Sequence, residues 1–229
     1  MKTTRSSTLL KTLAAAAAVC ALALPAGAQG KKVDLKFDLP PPVTVGTPLP
    51  IKIPAQHLEP ESTPNPVIQV PEGTTNLAKH KPVTSSDKTP IVGELNYVTD
   101  GDKDGDEGYE VELAPGVQWV QIDLGKTADL HAVLLWHFHR QKRAYHSVIV
   151  QISNDAEFKK DVTTVFNSDY ENRAGLGVGK DKVYIETNRG KLIPVNAVKG
   201  RYVRLYSAGN TSNVGNHYVE VEVFGKPCH

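Results

Sequence analysis

Two stretches of the chain concentrate groups that can do chemistry. The first is DGDKDGDEG, Asp100 to Gly108. Carboxylates this close repel one another, so a hard cation or full solvation must offset the cost. Asp100, Asp102, Asp104 and Gly105 follow the first half of the EF-hand spacing, but position twelve is Val111, where that loop needs a bidentate Glu, and no helix signal flanks it. A solvated Asp-Gly turn is the competing reading. The second stretch is WHFHRQKRAYH, Trp136 to His146. His137 and His139 share one face of a strand, a spacing that can chelate zinc or copper, with His131, His146 or His217 as further ligands. The same stretch suits a polyhydroxylated ligand better. Arg140 and Arg143 present planar forks of donors, His139 adds a polar contact, and Phe138 or Tyr145 offers a ring to stack. Trp136, in phase with Leu134, belongs to the core.

Catalysis has little support in these residues. The chain carries no G-x-S-x-G elbow, H-E-x-x-H helix or Walker loop. Glycoside cleavage needs two carboxyls facing each other across a cleft, whereas Glu110 and Glu112 alternate as one solvent-facing row.

The elements that must position these groups read as strands. In WVQIDLG, Val120, Ile122 and Leu124 alternate with Gln121 and Asp123, and a glycine closes the run. The period-2 pattern recurs in RYVRLYS and HYVEVEVFG. It predicts strands at Gln118 to Leu124, Ala132 to Phe138, Ser147 to Ser153, Thr163 to Asn167, Lys182 to Glu186, Arg201 to Ser207 and Tyr218 to Phe224. Only Asp155 to Lys160 suggests a short helical turn. Long polar connections at Ser168 to Lys180 and Ala208 to Asn216 suit a sandwich whose loops gather at its ends and carry binding.

Ahead of this all-β texture stand two other segments. Met1 to Ala28 has the pattern of a secretory signal, with Lys2, Arg5 and Lys11 before the apolar run Leu13 to Leu24 and the small-residue site Ala26-Gly27-Ala28. Export to the periplasm, the cell surface or the medium is therefore expected, with no membrane insertion once the signal is removed. Residues 29–74 hold a crowd of prolines, Pro40 to Pro42 and Pro71 among them, and read as a semi-rigid linker or stalk. The domain proper runs over 75–226 and a tail over 227–229. Cys20 leaves with the signal, so Cys228 has no internal partner; an intermolecular bridge, a free thiol and a cloning scar all stay open. With a formal net charge of +1, the 229-residue chain shows no nucleic-acid-binding surface.

The ordered motifs NLAKHKPVTSS, VTDGD, WVQIDLG, VIVQISND, RYVRLYS and EVEVFG resemble the discoidin, or coagulation factor V/VIII type C, superfamily, which includes family 32 carbohydrate-binding modules. The resemblance spans Thr75 to Lys226. It implies an eight-stranded jelly-roll β-sandwich (galactose-binding-like) with binding loops at one end and a structural calcium ion. Carried over, Asp100 of the DG turn, Asp102 beside it and Glu220 of EVEVFG would hold Ca2+. Family 32 modules commonly bind sugar through a His, an Arg, an Asn and an aromatic on the loops at one end; the candidates here are His139, Arg140 and Arg143, Phe138 or Tyr145, and Asn210 or Asn213. The paired cysteines of the lipid-binding relatives are missing.

These readings combine into an exported, non-catalytic module that binds a glycan or cell-surface polysaccharide. Two others stay open. One is a cell-envelope interaction or adhesion domain whose loops take a protein; the other is a metal-dependent enzyme built on His137 and His139.

Overall fold

The computed structural model describes residues 31–61 and 63–228, so the expected signal segment lies outside the described residues. Among the described residues ten strands form, in chain order β1 (Lys32–Asp34), β2 (Gln69–Pro71), β3 (Thr75–Asn76), β4 (Val83–Ser85), β5 (Val111–Leu113), β6 (Gln118–His137), β7 (Ile149–Ser153), β8 (Thr163–Asn167), β9 (Lys191–Ser207) and β10 (Asn216–Pro227). Eight of them make one antiparallel system in the order β3-β10-β6-β9-β7-β8, with β4 on β6 and β5 on β10. The architecture is all-β, as the alternating runs imply, and it is the jelly-roll sandwich that the family resemblance implies.

Two long strands hold the layers together. The expected strands Gln118 to Leu124 and Ala132 to Phe138 are the two halves of β6, which pairs through its first half with β4 and the end of β9, and through its second half with β10 and the start of β9. The ladder breaks between Asp123 and Ala128. There Gly125 adopts a φ of +85°, where a side chain is strained. Arg201 grips both carboxylate oxygens of Asp123 at 2.7 Å beside this bend. That fork holds the Asp123 carboxyl below the usual carboxylate range.

Between the layers lies one apolar cluster built from the inward rows of both halves. Val120, Ile122, Val133, Leu135, Val150, Ile152, Val203, Leu205, Val221 and Val223 all belong to it. Alternation sends these residues in and leaves Gln, Arg and Glu for the outer faces.

Two of the sequence expectations need correction. Lys182 to Glu186 forms no strand; Val183 makes a single bridge to Leu58, and its carbonyl accepts from the Glu59 amide at 2.8 Å. Conversely, the first half of β9 is a strand despite Pro194. That proline pairs with Ala132 next to a bulge in which Ala197 takes a φ of 54°, a place where a missing ladder amide is tolerated.

The proline-rich segment does not project as a stalk. It lies along the sandwich as a strap. Strands β1 and β2 pair with each other, and Leu35, Phe37 and Ile68 pack on an outer cluster of Ala132, Leu134, Trp136, Leu192, Val219 and Phe224. The Phe37 and Phe224 rings stand 6.3 Å apart. Farther along, Ile51, Ile53 and Leu58 pack with Ala144, Val183 and Tyr170. The physical reason is the alternation of Val33, Leu35 and Phe37, half-buried, with exposed Lys32, Asp34, Lys36 and Asp38: it gives the strap an apolar face that must find cover.

Candidate functional site

At one end of the sandwich, three loops converge on a cleft of about 270 Å³. The loop before β5 supplies Glu107 and Glu110, β5 supplies Glu112, the segment after β6 supplies Phe138, Gln141 and Arg143, and the start of β10 with the loop before it supplies His217 and Asn213. Strand pairing forces the convergence. β5 lies against the start of β10, so Glu112 sits opposite His217, and β6 ends at His137 opposite Tyr218.

Arg143 dominates the cleft. It is only 4% exposed, its guanidinium lies 4.7 Å over the Phe138 ring, and it donates to Gln141. Its Nε is buried without a partner. Facing it, burial raises the Glu112 carboxyl, the Glu110 charge adds to the effect, and Arg143 opposes it. His217 Nε2 stands 3.5 Å from Glu112 Oε1. Burial, with the Arg143 charge adding to it, lowers His217 to about 4, so it is a neutral imidazole at pH 7. Its Nδ1 lies 2.9 Å from the Tyr145 hydroxyl. Gly215 makes this crowding feasible, since a Cβ there would lie 2.5 Å from Glu112 Oε1 and 2.9 Å from His217 Cε1.

The expected ligand-contact residues divide. Arg143 and Asn213 line the cleft. Tyr145 does not present a stacking ring: it is buried, lies face to face with His137 at 4.2 Å, and bonds His217. Asn210 is an organiser of its own loop, donating to Asn213 Oδ1 and the Gly215 carbonyl and accepting from the Ser212 and Asn213 amides. Arg140 turns to the acidic loop and pairs with Asp106. His139 bonds the Lys103 carbonyl at 2.8 Å. Glu110 and Glu112, expected on a solvent-facing row, turn into the cleft. Glu110 is buried and accepts the Gly108 amide at 2.8 Å. His217 and Glu110 were not legible as cleft residues; the signal was the pairing of β5 with β10, which brings distant polar residues together.

His137 and His139 do not act together. His137 ends β6 fully buried, with Nδ1 2.7 Å from Glu186 Oε1, and His139 lies beyond the strand on a different partner. Among the described residues no group of three His, Cys, Asp or Glu side chains is gathered to hold a metal ion.

The acidic loop folds on itself. Asp100 Oδ1 accepts the Asp102 amide at 2.8 Å, and Asp102 Oδ1 accepts the Asp104 amide at 2.9 Å. Behind it stands Glu220, buried completely. The Gly101 amide reaches its Oε2 at 3.1 Å, and its Oε1 has no partner. Burial pushes this carboxyl up to about 9, with the Glu222 and Asp100 charges adding to the shift. Glu222 pairs with Lys103 at 2.8 Å. An orphaned buried carboxylate oxygen beside a loop of hard oxygen donors fits a hard cation, with backbone oxygens needed to complete the shell.

The sequence of residues 82–221 matches the F5/8 type C domain model. The chain belongs to that family. Its fold is similar to chitosan-binding module 1 of a chitosanase/glucanase from Paenibacillus sp. IK-5 (24% identity, 66% of this chain and 99% of that one, TM-score 0.43). It is similar also to the CBM32 of AlyQ solved with 4,5-unsaturated mannuronic acid (20% identity, 62% of this chain and 93% of that one, TM-score 0.46). A family 89 glycoside hydrolase from Clostridium perfringens matches at 17% identity over 66% of this chain and 15% of the hydrolase, with a TM-score of 0.48. No curated protein matched the sequence.

Proposed function

We propose that the chain is an exported, non-catalytic carbohydrate-binding module whose ligand enters the cleft between the loops bearing Glu110, Arg143 and Asn213. The observation that carries this reading is the convergence, in one cleft, of a preset guanidinium, three carboxylates, a neutral imidazole and two amides. Such a set both donates to and accepts from hydroxyl groups, and the Phe138–Arg143 stack fixes its direction. Export rests on the charged, apolar and small-residue pattern of the first 28 residues. The absence of catalysis rests on the carboxylates: Glu107, Glu110 and Glu112 come from one stretch, whereas Phe138 and Arg143 supply another part of the wall.

Calcium belongs to the same proposal. Glu220 would anchor it, with Asp100 or Asp102 and backbone oxygens of the loop completing the shell, since no three carboxylates are gathered among the described residues; its charge would offset the buried carboxylate and rigidify the loop that continues into Glu107 and Glu110.

A second reading, a protein-interaction domain, draws on Tyr109 and Val214. Each stands next to cleft-lining residues and is 60% and 67% exposed respectively. Affinity electrophoresis through gels containing soluble polysaccharides separates the two. The glycan reading requires retardation that Arg143→Ala removes. A protein that migrates freely through every gel contradicts it.

A further inference from the structure

The strap creates a second cleft, of about 360 Å³, that lies outside the loop-end site. One wall is the strap itself, through Pro42, Val43, Thr44 and Pro48. The other comes from His139 and Lys142 after β6 and from Ile185 to Asn188 before β9. The strap residues precede position 82, where the family match begins, so this cleft is not part of the architecture that the matched segment defines.

Three contacts make it a built feature. The Val45 amide donates to the Arg140 carbonyl at 2.7 Å, Asn188 Nδ2 donates to the Pro40 carbonyl at 2.8 Å, and Lys142 pairs with Glu61 at 2.6 Å. They hold the strap on the sandwich on both sides of the gap. Prolines stiffen the spanning segment, so the opening is kept without a ligand.

The lining has the chemistry of a site for hydroxylated rings. Pro42, Val43 and Pro48 offer apolar surface for the C–H face of a ring, while Thr44, Thr187 and Asn188 supply both donors and acceptors. Two wall residues are more than nine-tenths buried and keep an unpartnered polar atom, Glu186 through Oε2 and His139 through Nδ1. Native proteins rarely leave such atoms unmatched. The ionisable groups already have partners: Lys142 pairs with Glu61, and the Glu186 carboxylate is hydrogen-bonded to the His137 ring. Uncharged hydroxyls therefore suit the wall better than a phosphate or carboxylate. The volume lies at the small end of ligand pockets, about 300–1,000 Å³.

We propose that this cleft, roofed by the proline-rich strap, is a second binding site that takes a neutral saccharide of one or two rings. It goes beyond the loop-end reading and does not depend on it.

Amide chemical shifts of the labelled protein, titrated separately with glucose, galactose, mannose and N-acetylglucosamine into the tens of millimolar, test the proposal. At least one probe is expected to produce saturable shifts at Thr44, Lys142 and Ile185 to Asn188. Val43→Trp, which fills the cleft from the strap side, should weaken those shifts by at least about tenfold. Thr44→Trp, at the exposed rim, serves if the first variant does not fold. Shifts at Glu112 and Asn213 report the loop-end site separately, so either site can fail alone. The proposal is overturned if no probe moves the strap and Ile185–Asn188 amides, or if those shifts persist undiminished in the filled variant.

Discussion

Tyr145 Oη lies 2.9 Å from His217 Nδ1, joining a ring buried under the loop-end cleft to an imidazole on its wall. This contact ties the cleft to the core. His137 stacks on the other side of Tyr145 and is itself paired with Glu186, so a continuous set of buried polar groups backs the cleft. Substituting any member acts on the site through its neighbours.

A first prediction follows from the lowered pKa of His217, about 4 against 6.5 in an unfolded chain. Between these values the unfolded state binds the proton and the folded state does not, so stability falls as pH drops from 6.5 towards 4. The loss should reach roughly 3 kcal/mol when complete. Chemical denaturation across this range in wild type and His217→Gln is the check; the variant should lack this part of the slope.

Glu220 predicts the opposite sign. Its carboxyl is raised to about 9 from 4.5, so in the absence of a cation the folded state keeps a proton that the unfolded state loses, and stability declines as pH rises through that window. A cation that needs the ionised carboxylate must displace that proton. The stabilisation gained from excess calcium, read as a shift in Tm, should therefore grow from pH 5 to pH 8 and vanish in Glu220→Gln. A calcium effect independent of pH would contradict the assignment.

The strap should contribute measurable stability. Phe37 is half-buried against Phe224, and its truncation to Ala removes much of the contact between strap and outer cluster. Phe37→Ala should cost about 2 kcal/mol and open residues 31–73 to limited proteolysis before the sandwich unfolds. A segment that is cut equally fast in wild type would speak for a free stalk instead.

Gly215→Ala should alter binding more than folding. The added methyl would meet the flexible end of Glu112, which can swing away, and the ring of His217, which must shift by a few tenths of an ångström against its bond to Tyr145. A small drop in Tm with a clear loss of glycan retention is expected; unchanged retention would remove Glu112 from the binding wall.

The sandwich was legible because its central rows alternate cleanly: Val120, Ile122 and Leu124 in β6, Val203 and Leu205 in β9, Val221 and Val223 in β10; Val219, beyond an irregularity at Tyr218 and Glu220, faces the outer cluster instead. The first half of β9 was hidden by Pro194, whose tolerance depends on a bulge that only the pairing with β6 reveals. The alternation of Val33, Leu35 and Phe37 was present in the sequence but overshadowed by the prolines after it. Composition argued for a projecting stalk where a short apolar face argued for docking.

The cleft was legible only in part. Arg143 and Asn213 stood out by residue type and loop position, and both line it. Tyr145 and Asn210 have the same residue types, yet burial and local hydrogen bonds commit them to structure. His217, Glu110 and Glu112 reach the cleft through strand pairing across about a hundred residues, a relationship that no local pattern encodes.

The most direct test of the loop-end glycan site is a glycan array probed with the wild-type protein and with Arg143→Ala at equal concentration and in the presence of calcium. The account predicts that wild type binds at least one class of glycan and that the variant loses it by tenfold or more, about the effect of removing one charged hydrogen-bonding group. Binding of equal strength by both proteins, or by neither, would contradict it.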